Sequence, residues 1–257
     1  MPDLKDLFHD VDGHDRSFID LYGGRGGFSD FMLFKHGCSI DRWWMLNRRD
    51  KKRPNLAGFK AFLSEDRAAQ ASYNPADANV VDASNLEAMA AFIDATGAIQ
   101  NPVALVFGDG TVKRSSFTHA DGEQKPRTIE LLSMSTLWCQ AWAALSTLRV
   151  GGSFICKVTD SFGRCSIGSY YLLCHCFQHV TIIKPSMSGP SKCERFLVAL
   201  DFLGHTHETV KNVRDHFAHA LSVAASLPQS HGVLEILPPR IILTEPFLNR
   251  ITKLNER

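Results

Sequence analysis

The sequence predicts an α/β fold, a mostly parallel sheet with helices on both faces. Three observations carry that expectation. Short apolar runs alternate with helix-period segments along most of the chain, the order that builds parallel sheets. The first run, residues 17–21, passes into Gly23, Gly24, Gly26 and Gly27, and an amphipathic segment opens at Phe28. Finally, Asp20, Asp82, Asp109 and Lys157 all fall near the C-terminal ends of predicted strands, where open α/β sheets place their ligands.

Taken in order, residues 17–21 form the first strand, and a helix continues through residues 30–36 until Gly37 stops it. Residues 38–46 are extended and carry Trp43 and Trp44; a basic turn with Arg48, Arg49, Lys51, Lys52 and Arg53 follows. Residues 55–76 have weak periodicity and read as a surface excursion. A short strand at 79–81 ends at Asp82, and 85–96 is an Ala-rich helix. Residues 103–107, Val-Ala-Leu-Val-Phe, are the clearest buried strand and end at Gly108-Asp109-Gly110. Residues 111–126 are polar and read as a loop over a site. A long apolar helix spans 128–148, ended by Gly151 and Gly152, and a strand at 153–158 contains Lys157. A helix at 170–179 and a closing pair of strands at 180–184 and 196–201 complete the sheet. The division expected is a core over residues 1–204 and a C-terminal extension, 205–257, packed on it.

Composition bounds the function. The 257 residues are 44% hydrophobic, a globular content. Formal net charge is +1, so contact with nucleic acid has to come from local patches. No apolar run reaches the ~18 residues of a membrane span, and residues 1–5 lack a basic-then-apolar leader pattern. The 7 cysteines, odd in number and mostly in apolar segments, argue for reduced thiols and an intracellular setting. Cys174-His175-Cys176 does not have zinc-knuckle spacing; it reads as part of a buried, metal-free helix, and no metal is expected.

The glycines bear on chemistry because they let a backbone approach a ligand closely, while the following helix N-terminus offers unpaired N–H groups to negative charge. That suits a nucleotide-like ligand. Lys157 sits inside an apolar strand, where a lysine is costly unless paired or functional. Asp109 follows one buried strand and Glu194 precedes another. A lysine between two carboxylates can deprotonate a hydroxyl if burial lowers its pKa toward ~7–8. It can also orient the hydroxyl while still charged, since carboxylates raise its pKa. An ordinary Asp–Lys–Glu ion network has the same spacing.

With these residues in hand, the chain resembles the FtsJ/RrmJ-type ribose 2′-O-methyltransferases, most of all the cap-1 mRNA branch and its viral relatives. Gly24-Arg25-Gly26-Gly27-Phe28-Ser29-Asp30-Phe31 is similar to that branch's Gly-Pro-Gly-Gly-Phe-Ser-Glu-Tyr motif. Residues 151–157, Gly-Gly-Ser-Phe-Ile-Cys-Lys, resemble its Gly-Gly-His-Phe-Ile-Cys-Lys strand, and residues 171–177 follow the branch pattern too. Residues 184–195 are similar to its Lys-Pro-x-x-Ser-Arg-Pro-x-x-x-Glu-Arg signature. The likeness covers most of residues 17–200. It implies a Rossmann-like methyltransferase fold, S-adenosyl-L-methionine as methyl donor, and a Lys-Asp-Lys-Glu tetrad. Asp109, Lys157 and Glu194 match the last three members. The first lies upstream of the glycines, where Lys5 stands, unless it precedes this chain.

The resemblance further implies that Gly23, Gly24, Gly26, Gly27 and Phe28 line the donor's amino acid and ribose, with Asp109 beside them. Asp82 matches a carboxylate near the adenine amino group; as a residue before a helix it also suits an N-cap. RNA contacts are expected from Lys113, Arg114 and Arg127 in and beside the polar loop, and from Ser188, Ser191 and Lys192 in the signature. Two departures stand out: Tyr22 replaces a small residue, and Gly189 replaces an arginine. The function expected is cap 2′-O-ribose methylation of the first transcribed nucleotide. The alternatives are a ribose methyltransferase of uncapped ribosomal or transfer RNA, and a catalytically silent RNA-binding domain of the same fold. Expected partners are capped mRNA and other domains of a polyprotein or capping machinery, in the cytoplasm for a viral enzyme and the nucleus for a cellular one.

Overall fold

A computed structural model describes residues 16–23, 26–36, 40–46, 86–110, 126–159, 161–186, 188, 194–227, 233–242 and 245–255. In chain order the elements are β1 (Ser17–Leu21), α1 (Gly27–His36), β2 (Arg42–Leu46), α2 (Leu86–Thr96), β3 (Val103–Gly108), α3 (Pro126–Thr147), β4 (Leu148–Val158), α4 (Arg164–Cys174), β5 (Phe177–Ile183), β6 (Arg195–Phe202), α5 (Glu208–Ser226), α6 (Pro239–Ile242) and α7 (Glu245–Asn255). The sheet runs β2-β1-β3-β4-β6-β5. Its first four strands are mutually parallel, and β6 is antiparallel to both β4 and β5.

The period-2 alternation of strand side chains divides the core into two layers. Phe18, Leu105, Phe107 and Ile155 face one side, with Met32 and Leu33 of α1. Ile19, Val106, Phe154 and Cys156 face the other, among side chains of α2, α3, α4 and α5. Strand β3 is buried along its whole length, as a central strand covered on both faces must be. The chain reverses its direction of travel across the sheet between β1 and β3, so the loops after these strands flank a topological switch point, the expected ligand crevice.

Three expectations need correction. The helix before β4 ends at Thr147, and Gly151 and Gly152 lie within the strand. They form an irregularity, since the β3–β4 register shifts between Val103 and Leu105 and Gly151 has φ +75°. The helix expected at 170–179 is α4, six residues earlier at its start, and Phe177 already begins β5. Cys174 therefore closes a helix, His175 is exposed, and only Cys176 of that trio is buried. Third, Pro126 is the first residue of α3, where its missing N–H costs nothing. The expected strand at 79–81, the basic turn and the polar loop lie outside the described residues. No helix among the described residues is long and apolar enough to cross a membrane.

Candidate active site

Strand β1 delivers the glycine turn to the switch point. The Gly26 N–H donates to the Gly23 carbonyl at 2.8 Å and the Asp30 N–H to the Gly26 carbonyl at 2.7 Å. Gly26 adopts φ +91°, open to glycine without strain. Helix α1 starts at the next residue. Phe28, expected at the cofactor, stacks its ring on Phe107 at 4.8 Å and sets it edge-on to Phe196. Its ring is thus packed between Phe107 and Phe196. Tyr22 holds φ +63°, a conformation that costs a non-glycine residue about 1–2 kcal/mol. The buried ring flanks Gly110, where a Cβ would meet Tyr22 Cδ2 at 2.8 Å.

Beneath this turn lies Asp20, fully buried. Its Oδ2 accepts the Ser29 hydroxyl at 2.7 Å and the Ser29 N–H at 3.3 Å. Burial pushes its carboxyl up to about 6, against the two Ser29 bonds, with Asp109 and Asp30 adding to the rise. The sequence marks Asp20 only as a residue near a strand end; its pairing with Ser29 was not foreseen.

The loop after β3 is pinned on two sides. The Asp109 N–H donates to the Leu21 carbonyl at 3.0 Å. The Gly110 N–H donates to Gln140 Oε1 at 2.9 Å, and Gln140 Nε2 donates to the Thr136 carbonyl. From β4, Lys157 reaches this loop: its Nζ lies 3.4 Å from Asp109 Oδ1 and 2.9 Å from Glu194 Oε1. Lys157 pairs with Phe196 across the antiparallel β4–β6 ladder, which places Glu194 alongside the end of β4. The Lys157 side chain is 17% exposed, against 36% for Asp109 and 42% for Glu194. Burial works to lower the Lys157 pKa, but the Glu194 hydrogen bond and the two carboxylate charges outweigh it and hold the ammonium above its ordinary range.

A recess behind the lysine is lined by Gly110, Ser133, Met134, Leu137, Lys157, Val158 and Thr159. The segment leaving β4 is fixed by Glu130 of α3, which accepts the Gly163 N–H at 2.8 Å and the Ser166 hydroxyl. Burial pushes the Cys165 and Cys176 thiols up to about 12, so both remain protonated and inert as nucleophiles.

The structure thus brings together Asp109, Lys157 and Glu194, and sets Gly23, Gly26, Gly27 and Phe28 at the switch point. Ser188 lies in the turn after β5, its N–H donating to the Pro185 carbonyl at 3.0 Å. By strand direction that turn shares a rim with Lys157. Lys5, Gly24, Asp82, Lys113, Arg114, Ser191 and Lys192 lie outside the described residues, as does the Arg127 side chain. The residues present fit an S-adenosylmethionine: a turn with room for no Cβ at Gly23, which would lie 2.5 Å from Asp20, a helix N-terminus behind it, and acidic groups to meet a cationic ligand.

A Drosophila melanogaster protein named cap-specific mRNA (nucleoside-2′-O-)-methyltransferase 1 is 32% identical over 186 residues, covering 70% of this chain and 21% of that protein. A Caenorhabditis briggsae protein named inactive cap-specific mRNA (nucleoside-2′-O-)-methyltransferase 1B is 26% identical over 252 residues, covering 96% of this chain and 28% of its own length. The chain therefore spans roughly a quarter of the length of these curated relatives. Among solved structures, a Plasmodium falciparum protein assigned as a ribosomal RNA methyltransferase superposes with a TM-score of 0.49 at 14% identity, covering 76% of this chain and 91% of that one. The model of the FtsJ-like methyltransferases matches residues 2–202, and the chain belongs to that family.

Proposed function

We propose that this chain methylates the ribose 2′-oxygen of the first transcribed nucleotide of capped mRNA. The observation that carries the reading is Lys157 held between Asp109 and Glu194 at the C-terminal rim of the sheet, beside the glycine turn. The names of the similar proteins favour capped mRNA over uncapped RNA. One of those names is that of an inactive protein, so the case for activity rests on the Asp–Lys–Glu cluster rather than on similarity.

The bound donor supplies an electrophilic methyl group on a sulfonium, whose positive charge disappears on transfer. The protein's task is therefore to position the acceptor and manage its proton. Lys157 enters the reaction as an ammonium. It would orient the 2′-oxygen by donating to it; as the donor's carbon–sulfur bond gives way to the new oxygen–carbon bond, the hydroxyl proton would pass late to solvent. Of the two roles that the sequence left open, orientation is thus the one favoured. Asp109 and Glu194 hold Lys157, and Lys5 is the proposed fourth member. Gly23, Gly24, Gly26, Gly27, Phe28, Asp82 and Asp109 are the proposed donor contacts. Lys113, Arg114, Arg127, Ser188, Ser191 and Lys192 are proposed to track the RNA.

The test is methyl transfer from radiolabelled S-adenosylmethionine to short RNAs that differ only in the cap and the first ribose. Label is expected on N7-methylguanosine-capped RNA and absent when the first 2′-position already carries a methyl. Lys157→Ala should lower kcat by about 10²–10³-fold while leaving donor binding intact. Equal label on uncapped RNA would favour a general RNA methyltransferase; donor binding without any label would favour the silent domain.

A further inference from the structure

Gln140 of α3 is a polar side chain in an apolar stretch of helix, between Cys139 and Ala141, and it is fully buried. An amide in such a place costs stability unless both of its ends are bonded. Both are. Its Nε2 donates to the Thr136 carbonyl at 3.1 Å, within its own helix. That bond turns Oε1 toward the loop after β3, where it accepts the Gly110 N–H at 2.9 Å. The backbone on both sides of Asp109 lies hard against this oxygen. A Cβ on Gly108 would strike Gln140 Oε1, and one on Gly110 would lie 3.0 Å from it. Neither glycine adopts the left-handed backbone conformation. The Gly-Asp-Gly sequence therefore answers to crowding, with Gln140 against both glycines, and not to a special turn.

Asp109 needs such a hold. Its side chain is 36% exposed and its Oδ1 lies 3.4 Å from Lys157 Nζ; a partly exposed ion pair of that length fixes little by itself. The backbone on either side does more. The Asp109 N–H is tied to the Leu21 carbonyl at 3.0 Å, a bond that continues the β1–β3 ladder and that any side chain allows. The next N–H, that of Gly110, is tied to a side chain. We propose that Gln140 is a positioning residue of the reaction: its amide holds the Gly110 end of the turn so that the Asp109 carboxylate meets Lys157, and through Asp109 it aligns the ammonium on the acceptor oxygen. The effect on rate rests on the methyl-transfer reading above; the effect on Lys157 rests on the geometry alone. Gln140, wholly buried, acts only through Asp109.

The experiment compares methyl transfer to capped RNA by the full chain and by its Gln140→Met, Asp109→Asn and doubly substituted variants. Gln140→Met fills similar space without the acceptor. It should lower kcat by about 10–10²-fold and leave KM for RNA unchanged. The Lys157 ε-carbon should titrate at lower pH than in the wild type, toward its midpoint in Asp109→Asn, because the carboxylate that favours the ammonium is no longer held close. In the Asp109→Asn background, Gln140→Met should change kcat by less than about twofold; a glutamine that only supports the fold would cost the same factor in both backgrounds. Because a buried substitution risks the fold, amide exchange of the wild type is followed as well, and the Gly110 N–H should be protected like those of β3. Equal losses of kcat in the two backgrounds, a folded Gln140→Met protein with wild-type kcat and Lys157 midpoint, or a freely exchanging Gly110 N–H would each overturn the proposal. A wild type that transfers no methyl group would instead overturn the reading of function, and the Lys157 midpoint and Gly110 exchange would still decide whether Gln140 holds Asp109 on Lys157.

Discussion

At the scale of single residues, two ionisable groups of the site depart from ordinary behaviour in opposite chemical senses. Lys157 is held charged by its partners, so its ammonium should persist through pH ~9 and titrate above the ordinary ~10.4. Glu194→Gln removes the shorter of its two contacts and should lower that midpoint, as read from the lysine ε-carbon shift on titration; an unchanged midpoint would mean that Glu194 does not stabilise the ammonium. For Asp20 the sign runs the other way. A carboxyl raised from 3.8 to about 6 holds its proton in the native state where the unfolded chain has lost it. Its contribution to stability is complete below pH ~4 and is lost as pH rises through ~6, by about 3 kcal/mol for a shift of this size. Urea titrations at pH ~4 and ~7 should therefore show Asp20→Asn losing less stability over that interval than the wild type. Asp109, Lys157 and Glu194 were legible in the sequence because each interrupts or borders an apolar strand. Asp20 was not, because an aspartate near a strand end ordinarily faces water, and its burial depends on Ser29, nine residues further on.

At the scale of elements, strands read more truly than helix ends. Strand β3 is a continuous apolar run and β1 is apolar but for Ser17 and Asp20, and their pattern alone places them. Helix α4 hid its first two turns behind Ser166, Gly168 and Ser169, residues that read as loop. In the fold those small residues are buried contacts: Ser166 donates to Glu130, and Ser169 accepts the Trp138 indole N–H at 2.8 Å. Tertiary partners, remote in sequence, thus override local propensity. The glycine pair misled for a related reason. A glycine pair after an apolar helix resembles a helix stop, whereas here it lets β4 bend against β3. A Cβ on Gly152 would lie 2.8 Å from the Arg149 carbonyl oxygen and 3.1 Å from that of Ala104. Both are backbone atoms that can yield only by moving the strands, so Gly152→Ala should cost about 1–3 kcal/mol. A urea midpoint equal to that of the wild type would show that the irregularity relaxes freely.

At the scale of the whole molecule, the question is what residues 205–257 contribute. The family match stops at residue 202, and from sequence the tail reads as an extension packed on a finished core. Its side chains point to a larger role. Val210, Val213, Phe217 and Leu221 of α5 belong to the same buried cluster as Phe154 of β4 and Trp138 of α3. Helix α3 is apolar on nearly every side, with Leu137, Trp138, Cys139, Ala141, Ala144 and Leu145 all buried; such a helix requires cover beyond the sheet it lies on. Ile236, from the segment before α6, touches the space at Gly168, where a Cβ would meet its Cγ2 at 2.7 Å. His216 Nε2 meets the Ile236 carbonyl at 2.7 Å, tying that segment to α5. A protein ending at residue 204 keeps all six described strands and Asp109, Lys157 and Glu194, yet it uncovers α3. It should show no cooperative urea transition. The milder variant Phe217→Ala should fold with a stability lower by about 3–5 kcal/mol. A sharp transition from the shortened protein, together with a small effect of Phe217→Ala, would make the tail a dispensable addition; loss of cooperativity would make it part of the structural unit that holds Lys157 in place.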